Sequence, residues 1–263
     1  MDRADQRRLD LGRALGWGAG AVARSWAGAW GALLFLSLVL SAPAGLPMDG
    51  ALGVVRGLLW GAAGLIALGA LTRIGVADDL DGARALGLGP GGLQFGAGEL
   101  RILWAAVLNL IFLSLIGCIL ALVALAVFGM AELDAKAIEA RNWAAVGPAW
   151  KLAVLAVLSG LIIGVPLLLI TRLSLFAPAT IGRRRTTSLN AMGVGYGSFW
   201  PLFALLLLIL ASLGAIVWTA GRMETPWCWL AVVIAVPWLW APFSAGALAG
   251  AYRQLEYWTP DGA

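Results

Sequence analysis

The chain has 263 residues, of which 61% are apolar and only 12% are charged, whereas soluble domains are about half apolar and a quarter charged. It contains no histidine, which removes the commonest general base and metal ligand at neutral pH. The net charge is +4, but the basic residues lie beside apolar runs, which argues against a nucleic-acid-binding domain. The composition predicts a membrane protein without a cofactor or a metal site.

Six apolar runs are each long enough to cross a hydrocarbon core of about 30 Å as a helix. They predict an all-α, polytopic membrane protein, with residues 26–258 as a single six-helix domain after an amphipathic N-terminal segment (1–25) and before a short tail (259–263). A signal peptide ending near Ala42 is the alternative for the first run. The predicted spans are 26–43, 51–72, 102–128, 150–171, 199–220 and 228–251.

Lysine and arginine are distributed unequally between the two sides of these spans. Thirteen of them lie before span 1, between spans 2 and 3, between spans 4 and 5, or after span 6, and four lie on the other side. Because basic residues are retained on the cytoplasmic side, the pattern predicts that both termini are cytoplasmic.

The stretch RALGLGPGG, from Arg84 to Gly92, has the Gly-x-Gly-x-x-Gly spacing of a dinucleotide-binding loop. Its context argues against a nucleotide, because a short charged segment precedes it and a membrane span follows it. Similar stretches, RALGWG at 13–18 and NAMGVG at 190–195, precede spans 1 and 5. We therefore expect three amphipathic interfacial segments, each ending in a glycine-rich turn before an odd-numbered span.

The even-numbered spans carry pairs of glycines four residues apart, a spacing that lets helix backbones approach closely in a membrane. The odd-numbered spans lack such pairs, so the sequence predicts helix packing through the even-numbered spans and three helical hairpin repeats. The glycines are Gly57, Gly61, Gly160, Gly164, Gly246 and Gly250.

Five arginines are candidate sites for lipids or partners. Arg56 lies inside span 2, where an ionisable residue is either a functional site or a side chain that reaches back to the interface. Basic residues beside the membrane also attract anionic headgroups, and they equally serve as a topology signal. The cytoplasmic candidates, all after span 4, are Arg172, Arg183, Arg184 and Arg185.

Segments of the second half resemble those of a bacterial family. TRLSLFAPATI (171–181), SLNAMGVGYGSFWPLFALLLLI (188–209) and GALAGAYRQLE (246–256) resemble patterns of YciC-like inner-membrane proteins. They also resemble the membrane domain attached to some glycerophosphodiester phosphodiesterases. The resemblance implies a six-helix inner-membrane bundle with amphipathic cytoplasmic segments, and it carries over no catalytic residue.

These observations favour a non-catalytic, multi-pass protein of the bacterial inner membrane that interacts with lipids or serves as an accessory, membrane-organising subunit. The expected partners are anionic lipids on the cytoplasmic side, with a membrane-protein partner or a second copy as a further possibility. The alternative is a permease for a small amphiphile, because prolines predict kinks in two spans and Arg56 lies within span 2. The prolines are Pro166 and Pro178 at span 4 and Pro237 and Pro242 in span 6.

Overall fold

The structure is a computed structural model that describes residues 9–41, 50–132, 134–222 and 226–256. Every regular element in these ranges is helical. A short 3₁₀ turn occupies Pro90–Gly92, and a π-helical turn occupies Val236–Trp240. The α-helices are α1 Leu11–Gly28, α2 Trp30–Ser41, α3 Gly50–Val76, α4 Leu80–Ala85, α5 Ala97–Met130, α6 Ala135–Glu139, α7 Trp143–Val146, α8 Ala149–Leu173, α9 Phe176–Gly182, α10 Ala191–Val194, α11 Phe199–Arg222, α12 Pro226–Ala235 and α13 Ala241–Glu256.

Within the described ranges, five helical segments are long and apolar enough to cross a membrane, and a sixth span exists if the bent pair α1–α2 is one crossing. The five contain α3, α5, α8, α11 and α12–α13, which agree with predicted spans 2 to 6. The prediction of an all-α polytopic membrane protein is therefore confirmed.

The first predicted span, 26–43, contains a bend that the sequence did not predict. The chain bends by 91° between α1 and α2, at Ala29. The remaining helix α2 has 12 residues, which is about 18 Å long. Close packing explains the bend: a Cβ at Gly28 would lie 2.7 Å from the Leu80 side chain, and one at Gly31 would lie 2.9 Å from the carbonyl oxygen of Gly91.

The chain divides into two compact units. The first contains residues 1–106 and 172–263, and its buried apolar side chains form one cluster from α1, α9, α11 and α13 and another from α2, α3 and α4. The second contains residues 107–171, which comprise most of α5 and α8 with α6 and α7 between them. In this second unit an apolar groove of about 310 Å³ lies between α5 and α8.

Helix α1 packs lengthwise and antiparallel on α13, as the contacts along its whole length show. The amide of Asp10 donates to Gln254 Oε1 (2.8 Å) at one end, and Trp26 Nε1 donates to the carbonyl of Trp238 (2.8 Å) at the other. Four buried residues at helical spacing face this contact: Ala14, Gly18, Ala21 and Ser25. Residues 9–25 are thus amphipathic, as the sequence predicts; residues 1–8 of the predicted segment lie outside the described residues.

Of the three glycine pairs, one lies in a helix contact within the first unit. A Cβ at Gly246 would overlap the Cβ of Ala21, and one at Gly250 would lie 2.8 Å from the Cβ of Trp17. The partner is α1, rather than a neighbouring span. At the other four positions, no described residue of the same unit lies within 4 Å of an added methyl group: Gly57, Gly61, Gly160 and Gly164.

Side chains from α1 and α13 cover the carboxyl end of α3. Trp17 Nε1 donates to the carbonyl of Gly75 (2.6 Å), Arg253 Nη1 to that of Val76 (2.6 Å) and Arg24 Nη1 to that of Ala77 (2.8 Å). The two guanidinium groups lie 4.5 and 4.8 Å from the ring of Trp17. Cationic groups at this position satisfy the terminal carbonyls and oppose the negative end of the helix dipole.

The sixth span changes its helical hydrogen-bonding pattern where the prolines predict a break. The α-helical pattern stops after Ala235, a π-helical turn containing Pro237 follows, and α13 begins at Ala241. Proline has no backbone N–H to donate within the helix, and a π-helical turn tolerates the missing hydrogen bond. By contrast, α8 continues through Pro166 to Leu173.

Gly18 and Gly20 provide a matched test of the α1–α13 contact. A Cβ at Gly18 would lie 2.8 Å from the carbonyl oxygen of Phe243, whereas nothing lies within 4 Å of one at Gly20. We expect Gly18→Ala to destabilise the protein by about 1–3 kcal/mol through overpacking. Gly20→Ala should be neutral or stabilising by up to about 1 kcal/mol, because alanine favours the helix. Thermal unfolding in detergent measures both, and equal melting temperatures would contradict this packing.

Candidate functional site

The glycine-rich stretch forms a compact turn between α4 and α5. Helix α4 ends at Ala85, Gly87 has a φ of +92°, and α5 begins at Ala97. The prediction that these glycines end a short helix before the span is confirmed. A nucleotide-binding loop requires a strand before its first glycine, and helix α4 occupies that place instead. A Cβ at Gly92 would lie 2.9 Å from Ala29, so the turn fits into the bend between α1 and α2.

A buried ion pair links the end of α3 to the start of α5. Nη1 of Arg73 donates to Oε1 of Glu99, and the two side chains are 5% and 0% exposed. Nε of Arg73 donates to the carbonyl of Leu86 (3.1 Å). Oε2 of Glu99 accepts from the amide of Gly96 (2.9 Å), and Oε1 lies 3.5 Å from Nε2 of Gln94. Such extra hydrogen bonds are what a buried ion pair needs to offset desolvation.

Two glycines make room for this pair. A Cβ at Gly69 would overlap Oε1 of Glu99, and a Cβ at Gly98 would overlap Nη2 of Arg73. Among the described residues, no acceptor takes a hydrogen bond from that Nη2. This nitrogen lies beside Gly98, in the first turn of α5.

Next to the ion pair is a cavity of about 360 Å³. The first-turn amides of α5 have no acceptor within the helix, and the amino end of a long helix favours anions. All residues of its lining belong to the first unit: Arg73, Ala85, Leu86, Gly87, Gln94, Phe95, Gly96, Ala97, Gly98, Glu99, Arg101, Thr180, Ile181 and Arg184.

Two exposed arginines at this cavity carry uncompensated charge. Arg101 Nη1 donates to the carbonyl of Arg184 (2.7 Å), and Arg184 Nη2 donates to the carbonyl of Ala85 (3.2 Å). Both bonds go to neutral groups. In the described chain, five other arginines pair with carboxylates: Arg13, Arg73, Arg84, Arg183 and Arg253. Arg101 and Arg184 therefore contribute positive charge to this end of the first unit, and no carboxylate in the described chain pairs with them.

Of the five arginines predicted as sites, one lines the cavity, namely Arg184. Arg183 forms a two-point ion pair with Glu256 (2.8 and 2.6 Å), whose hydrogen bonds raise the pKa of its guanidinium. Arg185 is exposed and does not line the cavity.

The other two predicted arginines lie beside aromatic rings. Arg172 lies 5.9 Å from the ring of Tyr196, and Arg56 lies 5.6 Å from that of Trp60. Nε and Nη1 of Arg56 are buried without a partner among the described residues. Asp49, the nearest carboxylate before it in the sequence, lies outside the described residues.

Arg73, Glu99 and Arg101 are not among the site residues that the sequence predicts. Arg73 and Arg101 are two of the thirteen basic residues that predict the topology. A signal did exist, because opposite charges stand at the facing ends of two consecutive spans, on either side of a glycine-rich turn.

No family model, no curated protein and no solved structure matched the chain.

The buried pair makes a strong prediction for stability. Glu99→Gln leaves the charge of Arg73 buried without a counter-ion and should cost about 3–5 kcal/mol. Glu256→Gln breaks a more exposed pair with Arg183 and should cost about 1 kcal/mol or less. Denaturant unfolding in detergent compares the two variants.

The double variant Arg73→Gln with Glu99→Gln separates the charge from the packing. It should recover part of the unfolding free energy that Glu99→Gln loses, since two neutral amides leave no buried charge. Similar losses for the Glu99 and Glu256 variants would contradict the role assigned to the buried pair.

Proposed function

We propose that this integral membrane protein is non-catalytic and binds anionic lipid headgroups at the arginine-lined cavity. The main observation behind this proposal is that Arg101 and Arg184 both line this cavity and have no carboxylate partner in the described chain. Guanidinium groups form charge-assisted hydrogen bonds with phosphate oxygens.

The position of the cavity along the helices supports a headgroup rather than an acyl chain as the bound group. It lies where α3 ends and α5 begins, next to α9. Arginines and tryptophans flank these helix ends, as they do at membrane interfaces. In our proposal this end faces the cytoplasm of a bacterial inner membrane, and the protein is a lipid-interacting accessory or membrane-organising subunit.

The permease alternative depends on Arg56 and on kinks in spans 4 and 6. The sixth span contains a π-helical turn at Pro237, but among the described residues the linings of cavities of about 360, 440 and 310 Å³ do not include Arg56. Lipid binding at the arginine-lined cavity is therefore the better-supported proposal.

Native mass spectrometry in a detergent with equal amounts of phosphatidylglycerol and phosphatidylcholine tests this proposal. We expect retention of phosphatidylglycerol by the wild type. Arg101→Gln with Arg184→Gln should weaken that retention about tenfold or more, because hydrogen bonds to charged groups contribute about 1.5–3 kcal/mol each.

Arg185→Gln is the matched control. It removes one positive charge, as Arg184→Gln alone does, from the neighbouring side chain that does not line the cavity, so retention should stay within about twofold of the wild type. Equal retention of both lipids by the wild type, or an equal loss in the control, would overturn the proposal. Melting temperatures of all variants establish that they are folded.

A further inference from the structure

We propose that the ligand of the arginine-lined cavity is a phosphate monoester dianion without an attached ammonium group. This inference rests on the proposed headgroup function and adds the chemical class of the headgroup. Three observations support it: the net charge of the cavity lining, the hydrogen-bond donors in that lining, and the hydrogen bonds that its one carboxylate already accepts.

The charge of the site matches a dianion. Four charged residues line the cavity, and two of them, Arg73 and Glu99, neutralise each other. Arg101 and Arg184 leave two positive charges. A phosphate monoester carries close to two negative charges at pH 7, with a second pKa of about 6, whereas a phosphodiester headgroup carries one.

The donors suit a terminal phosphate group with three free oxygens. Arg101 and Arg184 each use one nitrogen on a backbone carbonyl and keep the others available. A third donor comes from the interior: Arg73 is 5% exposed, and its Nη2 has no acceptor among the described residues and lies beside Gly98. The first-turn amides of α5 add donors from the backbone.

The cavity offers little to an ammonium group. Glu99 is the one carboxylate of its lining, and both its oxygens already accept hydrogen bonds from Arg73, Gln94 and Gly96. A choline or ethanolamine group would thus meet two arginines and no free carboxylate, which disfavours zwitterionic headgroups.

The charged side chains around the cavity are arginines and carboxylates. Beyond the four lining residues, those on the neighbouring elements are Asp78, Asp79, Asp81 and Arg84 at or just before α4, Arg183 and Arg185 after α9, and Arg253 and Glu256 on α13. Carboxylic acids ordinarily ionise near pH 4 and arginine stays charged well above neutral pH, and the chain contains no histidine. A pH dependence of binding between about pH 5.5 and 7.5 therefore reports on the ligand.

Dihexanoyl phosphatidic acid and dihexanoyl phosphatidylglycerol, titrated into the full-length protein in detergent, test the inference. The affinity for phosphatidic acid should rise about fourfold from pH 5.5 to 7.5, following the second ionisation of the monoester. The affinity for phosphatidylglycerol should stay constant. Arg101→Gln with Arg184→Gln should remove the pH dependence, and Arg185→Gln should preserve it.

Glycerol 3-phosphate and inorganic phosphate identify the source of the monoester. Stronger binding of the acylated ligand identifies a membrane lipid, and Phe95, 58% exposed on the cavity lining, is placed to contact its chains. Equal binding of all three identifies a soluble phosphate compound, and both results support the monoester class.

The two proposals fail in different ways. Equal, pH-independent binding of phosphatidic acid and phosphatidylglycerol, each stronger than that of dihexanoyl phosphatidylcholine, would overturn the monoester inference and leave headgroup binding intact. Binding of neither lipid above the level of phosphatidylcholine would overturn both.

Discussion

The buried ion pair between Arg73 and Glu99 connects two consecutive spans where the chain passes from one to the other. An arginine and a glutamate can be buried this deeply only when hydrogen bonds surround them. Here the glycine-rich turn supplies those bonds from Leu86, Gln94 and Gly96. The turn, the first helical turn of α5 and the last of α3 therefore depend on one another. Because Glu99 neutralises Arg73, the positive charge at the cavity comes from Arg101 and Arg184, at its rim.

The same constraint explains the glycines. Gly69 and Gly98 leave the space that the two charged side chains fill, and Gly92 lets the turn lie against Ala29. The three glycines lie on three different segments of the chain, and each accommodates a contact with another segment. Within the Gly-x-Gly-x-x-Gly stretch, Gly92 thus has a packing function.

Much of the helical architecture could be predicted from the apolar runs alone, because the bilayer sets the length of a span. The run at 199–220 corresponds to α11, Phe199–Arg222. The bend at Ala29 could not be predicted, since it depends on contacts of Gly28 and Gly31 with distant residues. The cavity could be predicted only in part. Arg184 could be identified from the sequence as a basic residue beside the membrane. The burial of Glu99 could not, because it depends on where α3 places Arg73.

The antiparallel contact between α1 and α13 joins the two ends of the described chain. Residues 244 and 212 positions apart in sequence are hydrogen-bonded, and Arg24 and Arg253 together cover the end of α3. Contacts of such high sequence separation form late in folding. During synthesis, the small-residue face of α1 and the terminal carbonyls of α3 lack their contacts with α13 until α13 has been made. The first unit is therefore completed only after α13 has been synthesised.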